Sequence, residues 1–173
     1  MFKQLLLSVG MISAFSANAQ NQCSSALVIT AGTYTVDSID GTEIPAPLCI
    51  NSGNTNVDGG EWYTYTPVEN LSLTISTDLP QNLGRDTRFH VYAGSCGALV
   101  CVGGDDDGGS GYLSVTTIEV TGGTPYTIAF DDRWEEVGFD FSLIENAPVP
   151  ENIAFTSSPI TVTGSTYAVV DMN

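Results

Sequence analysis

The sequence predicts an antiparallel β-sandwich, and three observations predict it. Short runs of apolar residues alternate with polar ones along most of the chain, the period of a strand with one face in a core. Turn signals rich in Gly, Pro, Asn and Asp recur between those runs at roughly 8–12-residue intervals, the rhythm of a sandwich. No segment carries a helical period of any length, and about eight such runs fit in the chain.

Each element has its own warrant. Leu27–Thr30 and Tyr34–Asp37 are short strands parted by Ala31-Gly32. Residues 41–60 concentrate Pro, Asn, Gly and Asp and read as a long surface loop. Glu61–Pro67 alternates aromatics with threonine between glycine and proline, a strand composition. Leu71, Leu73 and Ile75 interleave with Ser72, Thr74 and Ser76, which marks a half-buried strand. Residues 78–85 are a loop. Phe89 and Val91 face one way, His90 and Tyr92 the other, and Val100 with Val102 continues a hairpin. Leu113 and Val115 point inward, but the inward parity then moves to Ile118 and Val120, so a bulge is expected near Thr116-Thr117. Gly122-Gly123 turns the chain into Tyr126, Ile128 and Phe130. After the acidic turn 131–138, Phe139, Phe141 and Leu143 close the domain.

The ends read differently. Met1-Phe2-Lys3, a largely apolar Leu5–Phe15 and an Ala17-Asn18-Ala19 cleavage pattern make residues 1–19 a secretory signal peptide. A membrane span needs roughly 20 apolar residues, more than this run holds, and no later stretch suffices. The sandwich then occupies 20–145, and Asn146–Glu151 (NAPVPE) is a semi-extended linker. The expected location is outside the cytoplasm, secreted or on the cell surface.

Cleavage removes Lys3 and no acid, leaving three bases against 20 acids, a formal charge of −17 instead of −16. Such a surface repels nucleic acid and anionic membranes and suits cations. The four cysteines of an exported chain predict two disulfides. The local, non-crossing choice is Cys23–Cys49 and Cys96–Cys101. Zinc is disfavoured, because no CxxC occurs and there is one histidine.

The candidate chemistry is metal binding. Gly103–Gly109 holds Asp105, Asp106 and Asp107 between glycines, and Ca²⁺ takes six to eight oxygens from carboxylates and carbonyls of flexible loops. In an extended segment Asp105 and Asp107 point one way and Asp106 the other, so a turn is needed to gather all three. Asp86 joins them if the hairpin pairs residues whose numbers sum to about 191–193; a sum of 197, with Cys96 opposite Cys101, moves it away. The alternative is a solvated acidic loop with Asp86 bonded to nearby backbone. A second, weaker candidate is Asp131 and Asp132 with Glu135 and Glu136, whose alternative is an ordinary acidic turn. Trp134, in that turn, and Tyr92 are candidate ligand-binding aromatics; Trp134 could equally close an end of the core, and Trp62 reads as core. His90 sits mid-strand and reads as a surface or cross-strand residue. No GxSxG or HExxH occurs. Paired carboxylates for glycoside hydrolysis are conceivable between Asp131/Asp132 and Asp105–Asp107, but nothing singles them out as catalytic.

Several pieces occur in an order that resembles a known family. They are Trp62-Tyr63-Thr64-Tyr65, Asp86-Thr87, Val91-Tyr92-Ala93-Gly94-Ser95-Cys96, Leu99 with Cys101, Asp105-Asp106, Pro125-Tyr126-Thr127-Ile128, and Gly138-Phe139 with Phe141 and Leu143. Together, over about residues 21–145, they resemble the bacterial pre-peptidase C-terminal (PPC-like) domain, in the cysteine-bearing form of exported Bacteroidota proteins. The resemblance implies a jelly-roll-like, non-catalytic sandwich appended to secreted peptidases or adhesins, some of whose relatives bind calcium, collagen or polysaccharide. Thr166–Asn173 (TYAVVDMN) resembles the start of an FG-GAP or VCBS-type repeat, so residues 152–173 are expected to open a further β domain that continues past the sequence. The expected function is a Ca²⁺-stabilised accessory module binding an extracellular polysaccharide or protein beside C-terminal domains of the same chain. The alternatives are a spacer without ligand and an unrecognised hydrolase.

Overall fold

The computed structural model describes residues 20–53 and 55–147. The signal peptide, most of the linker and the expected repeat at 152–173 lie outside the described residues. Among the described residues nine strands form: β1 Leu27–Ile29, β2 Gly32–Ser38, β3 Gly60–Tyr65, β4 Leu71–Ser76, β5 Phe89–Ala93, β6 Val100–Asp105, β7 Val115–Val120, β8 Tyr126–Asp131 and β9 Val137–Asn146. Short 3₁₀ turns at Cys23–Ser25 and Pro80–Asn82 are the helical elements among the described residues.

The strands build two sheets, ordered β1-β3-β8-β5-β6 and β2-β9-β4-β7. Every strand pairing is antiparallel except β1 on β3, which is parallel at one sheet edge. The inter-sheet core follows from the period-two pattern. Tyr63, Phe89, Val91, Ile128 and Phe130 of the five-stranded sheet meet Leu73, Ile75, Phe141 and Leu143 of the other. Phe130 is its aromatic centre, with ring centroids 5.5 Å from Phe89, 5.2 Å from Phe139 and 4.8 Å from Phe141. Tilted and edge-on pairs at such distances add to the burial itself.

Three expectations need correction. The first concerns the disulfides. They join Cys23 to Cys96 and Cys49 to Cys101, not Cys23 to Cys49 and Cys96 to Cys101. The described residues of 41–59 fold back over the outer face of the five-stranded sheet, which brings Cys49 to β6. The 3₁₀ turn at the chain's start meanwhile reaches the β5–β6 turn. The closed loops span 73 and 52 residues, so each bond restricts the unfolded chain by about 4 kcal/mol, more than local pairs would.

The second is the bulge near Thr116-Thr117. β7 pairs with β4 without interruption from Leu71↔Val120 to Ser76↔Val115. The apparent parity change arises because Leu113 is buried ahead of the strand, in the preceding loop. A shift of register occurs instead between Val91 and Tyr92 in the β5–β6 pair.

The third is the character of residues 41–60, which form a cover rather than a simple surface loop. Under them lies a second, smaller cluster of Cys23, Trp62, Tyr92 and Ala129. Trp62 Nε1 donates to the Glu43 carbonyl at 3.3 Å, and Tyr92 Oη donates to the Pro47 carbonyl at 2.9 Å. Buried Glu61 accepts from the amides of Asp40 and Gly41, which fixes the start of the cover. The cover's two ends pass so close that a Cβ at Gly41 would run into the Gly60 carbonyl, and one at Gly59 into the Gly41 carbonyl. Glycine is required at both.

Candidate metal site and the neighbouring acidic turn

Asp86 precedes β5 and the Asp105–Asp107 run ends β6, so the register of that hairpin decides whether they meet. The pairs Phe89↔Asp105, His90↔Gly104 and Val91↔Gly103 sum to 194, close to the register that brings Asp86 in. An isolated bridge between Asp86 and Tyr112 completes the approach, with the Thr87 amide donating to the Tyr112 carbonyl at 3.0 Å. One carboxylate oxygen from each of Asp86, Asp106 and Asp107 lies within 4.8 Å of the others. Oxygens bound to one Ca²⁺ at about 2.3–2.6 Å can stand up to about 5 Å apart, so the spacing fits that ion.

The fourth acid does something else. Asp105 Oδ2 accepts from the Gly108 amide at 2.7 Å and the Val115 amide at 2.8 Å, so it shapes the turn and stays out of the cluster. The turn after Asp105 gathers Asp106 and Asp107. Asp78 braces the same loop by accepting from the Ser110 amide and hydroxyl.

Beneath it runs a buried hydroxyl network. Thr77 and Thr87 hydroxyls lie 2.6 Å apart, the Ser114 amide donates to Thr77 Oγ1 at 2.9 Å, and Ser114 Oγ donates to the carbonyls of Thr87 and Asp106. Asp106 is held in this way with 5% of its surface exposed. Its Oδ1 is buried without a hydrogen-bond partner, a costly state for a carboxylate oxygen. Desolvation, followed by repulsion from Asp107, Asp106 and Glu135, pushes the Asp86 carboxyl above its ordinary range. Desolvation and then its two neighbouring aspartates do the same to Asp107. Groups that resist ionisation because like charges crowd them are what a bound cation relieves.

The second acidic candidate, at 131–136, is arranged differently. Asp131 is buried; its Oδ2 accepts from Arg88 Nε at 2.8 Å and from His90 Nε2 at 2.7 Å, and its Oδ1 accepts from the Arg133 amide at 3.0 Å. Asp132 Oδ1 accepts from the Asp58 amide at 2.9 Å. Glu135 meets Arg85 at 3.4 Å. Asp131 is thus committed to protein donors, and its Arg88 neighbour repels a cation, so a metal role for Asp131 with Asp132 is not favoured here. His90 is buried, not at the surface. Its Nδ1 accepts from the Ile50 amide at 3.3 Å, which assigns the ring proton to Nε2.

The aromatic candidates separate. Trp134 is 43% exposed, with the Arg133 guanidinium 4.0 Å from the centre of its ring. Tyr92 is fully buried and stacks on Trp62 at 6.2 Å, so it offers no binding surface. What sequence reasoning missed was the Arg88–Asp131–His90 group. Its signal was an arginine just before β5 and a histidine two residues on, beside an aspartate that ends β8, the neighbouring strand. All four cysteines are in disulfides, and no described helix is long and apolar enough to cross a membrane. Compared with known proteins, the chain matches no family model and no curated sequence.

Proposed function

We propose that this chain is a non-catalytic, exported β-sandwich module of the PPC-like kind, stabilised by Ca²⁺ at Asp86, Asp106 and Asp107, which serves as an accessory binding domain within a larger secreted protein. The observation that carries the reading is the convergence of three carboxylates, one of which, Asp106, keeps a buried oxygen without a hydrogen-bond partner. A bound Ca²⁺ supplies the positive charge that this corner otherwise lacks. The ion would have a structural role, clamping the loop after β6 to the segment before β5. Two disulfides, an acidic surface and the exposed Trp134 are compatible with an extracellular binding role. The non-catalytic reading is supported by the one histidine, which is buried and bonded through both ring nitrogens.

Scanning calorimetry with EDTA and with millimolar CaCl₂ tests the metal. At a hundredfold excess over the dissociation constant, Ca²⁺ should contribute about 2.7 kcal/mol, a rise in Tm on the order of 10 °C. An unchanged Tm would remove the ion from the reading. A panel of polysaccharides and matrix proteins, probed in the same buffers, tests the binding role.

A further inference from the structure

A polar cleft of about 380 Å³, with Arg85 in its lining, opens between β2, β9 and the segment around Pro80–Asn82. We propose that it is a glycan subsite for neutral, hydroxyl-rich polysaccharide; this rests on the accessory-binding reading above and gives it a location.

The cleft is built before any ligand arrives. Buried Asn82 fastens the 80–82 turn to β9: its Nδ2 donates to the carbonyls of Thr77 and Asp140, and its Oδ1 accepts from the Asp140 amide at 2.9 Å. That clamp sets the Asp140 carboxylate between two side chains. Thr35 Oγ1 donates to Oδ1 at 2.7 Å and Gln81 Nε2 donates to Oδ2 at 2.9 Å. The same two bonds, the threonine's first, hold its carboxyl below the ordinary range. On the floor Gly138 lies against the β2 backbone, where a Cβ would strike the carbonyls of Val36 and Asp37.

Each polar group keeps capacity for a ligand. A carboxylate accepts about four hydrogen bonds, and Asp140 uses two of them here. Gln81 retains one N–H and its carbonyl. An acceptor beside a donor–acceptor pair matches adjacent hydroxyls, each of which donates and accepts. Asp37 adds a second carboxylate to the wall, while Arg85 is already balanced by Glu135. The cleft is therefore net negative, which disfavours uronate or sulfated chains. Glu135 also ties the Trp134 turn to the rim, since its Oε1 accepts from the Val137 amide and its Oε2 meets Arg85. An exposed indole carried on that turn can stack on a sugar of a chain leaving the cleft.

The test is native affinity electrophoresis of the purified protein in gels containing mixed-linkage β-glucan, xylan or mannan, with polygalacturonate as the acidic arm. A parallel arm measures binding to collagen and fibronectin. Asp140→Ala and Gln81→Ala are compared with the parent, and melting curves identify a variant that has not folded. Gln81, exposed at the cleft wall, keeps the test alive if Asp140→Ala unfolds. Retardation by a neutral polymer, weakened about tenfold or more in a folded variant, supports the subsite. Retardation that both folded variants retain overturns the subsite and leaves the accessory-binding reading standing. Binding to polygalacturonate alone, or to a matrix protein alone, has the same consequence. Binding in no arm overturns both.

Discussion

Two acid-rich stretches lie close enough for Glu135 of one to push up the Asp86 carboxyl of the other, yet they settle their charge in different ways. In the 131–136 turn the protein supplies its own cations. Arg88 is buried against Asp131 and Arg85 meets Glu135. At Asp86, Asp106 and Asp107 there are three carboxylates and a partnerless oxygen. Outside the signal segment the sequence contains three arginines or lysines, Arg85, Arg88 and Arg133, and each meets the first stretch: Arg85 at Glu135, Arg88 at Asp131 and Arg133 over the Trp134 ring. The comparison teaches that acid density alone does not locate a metal site. What counts is which acids the fold has already neutralised.

The comparison can be broken at several points. The largest effect is expected from Asp131→Ala, which strands Arg88 and His90 in a dry interior. Removing one partner of a buried pair costs about 3–5 kcal/mol, read as a lower urea midpoint, and Ca²⁺ should not restore it. Next comes Asp106→Asn. It should abolish the Ca²⁺-dependent rise in Tm, a loss of about 2.7 kcal/mol at a hundredfold excess, while in EDTA the variant should match or exceed the parent because a like charge is gone. A variant that keeps the full Ca²⁺ shift would erase the distinction between the two stretches.

Acidity provides a third handle. Asp86 and Asp107 have raised carboxyls, so their native state binds protons more readily than the unfolded chain. Their mutual repulsion is felt at neutral pH and fades as pH falls towards the ordinary value of 3.8. Protons and Ca²⁺ relieve the same repulsion, so the Tm gap between CaCl₂ and EDTA should narrow on acidification. Asp140 has the opposite sign: its lowered carboxyl contributes stability above 3.8, lost as pH drops through its folded value. A gap that widens on acidification would contradict the assignment. The smallest effect is expected for Arg85→Met. Its pair with Glu135 is partly solvated, so the cost should stay at about 0.2–1 kcal/mol in urea titrations and shrink further in salt.

The sandwich was legible because one physical rule wrote most of it. Leu71, Leu73 and Ile75, and Tyr126, Ile128 and Phe130, alternate with residues on the opposite sheet face, and all are buried. The same rule misled where the other face was buried as well. His90 and Tyr92 look outward in the alternation, but the segment around Pro47–Ile50 covers them. Nothing local in a Pro- and Gly-rich segment says which surface it will settle on. The disulfides were misassigned for that reason, since the partner of Cys49 depends on where the cover lands. In the candidate site, Asp86 with Asp106 and Asp107 was foreseeable from hairpin register. The exclusion of Asp105 was not, because it depends on the amides of Gly108 and Val115.

The Cys23–Cys96 bond also determines how the domain would bear load. Tension entering at Cys23 passes through sulfur directly into the β5–β6 turn and bypasses β1 to β5. The 73 residues of sequence separation it spans, about 250 Å if drawn out straight, cannot be paid out while the bond is intact. A module anchored by its front end would therefore stretch only through the strands that follow, and a reductant would lengthen its reach under the same pull.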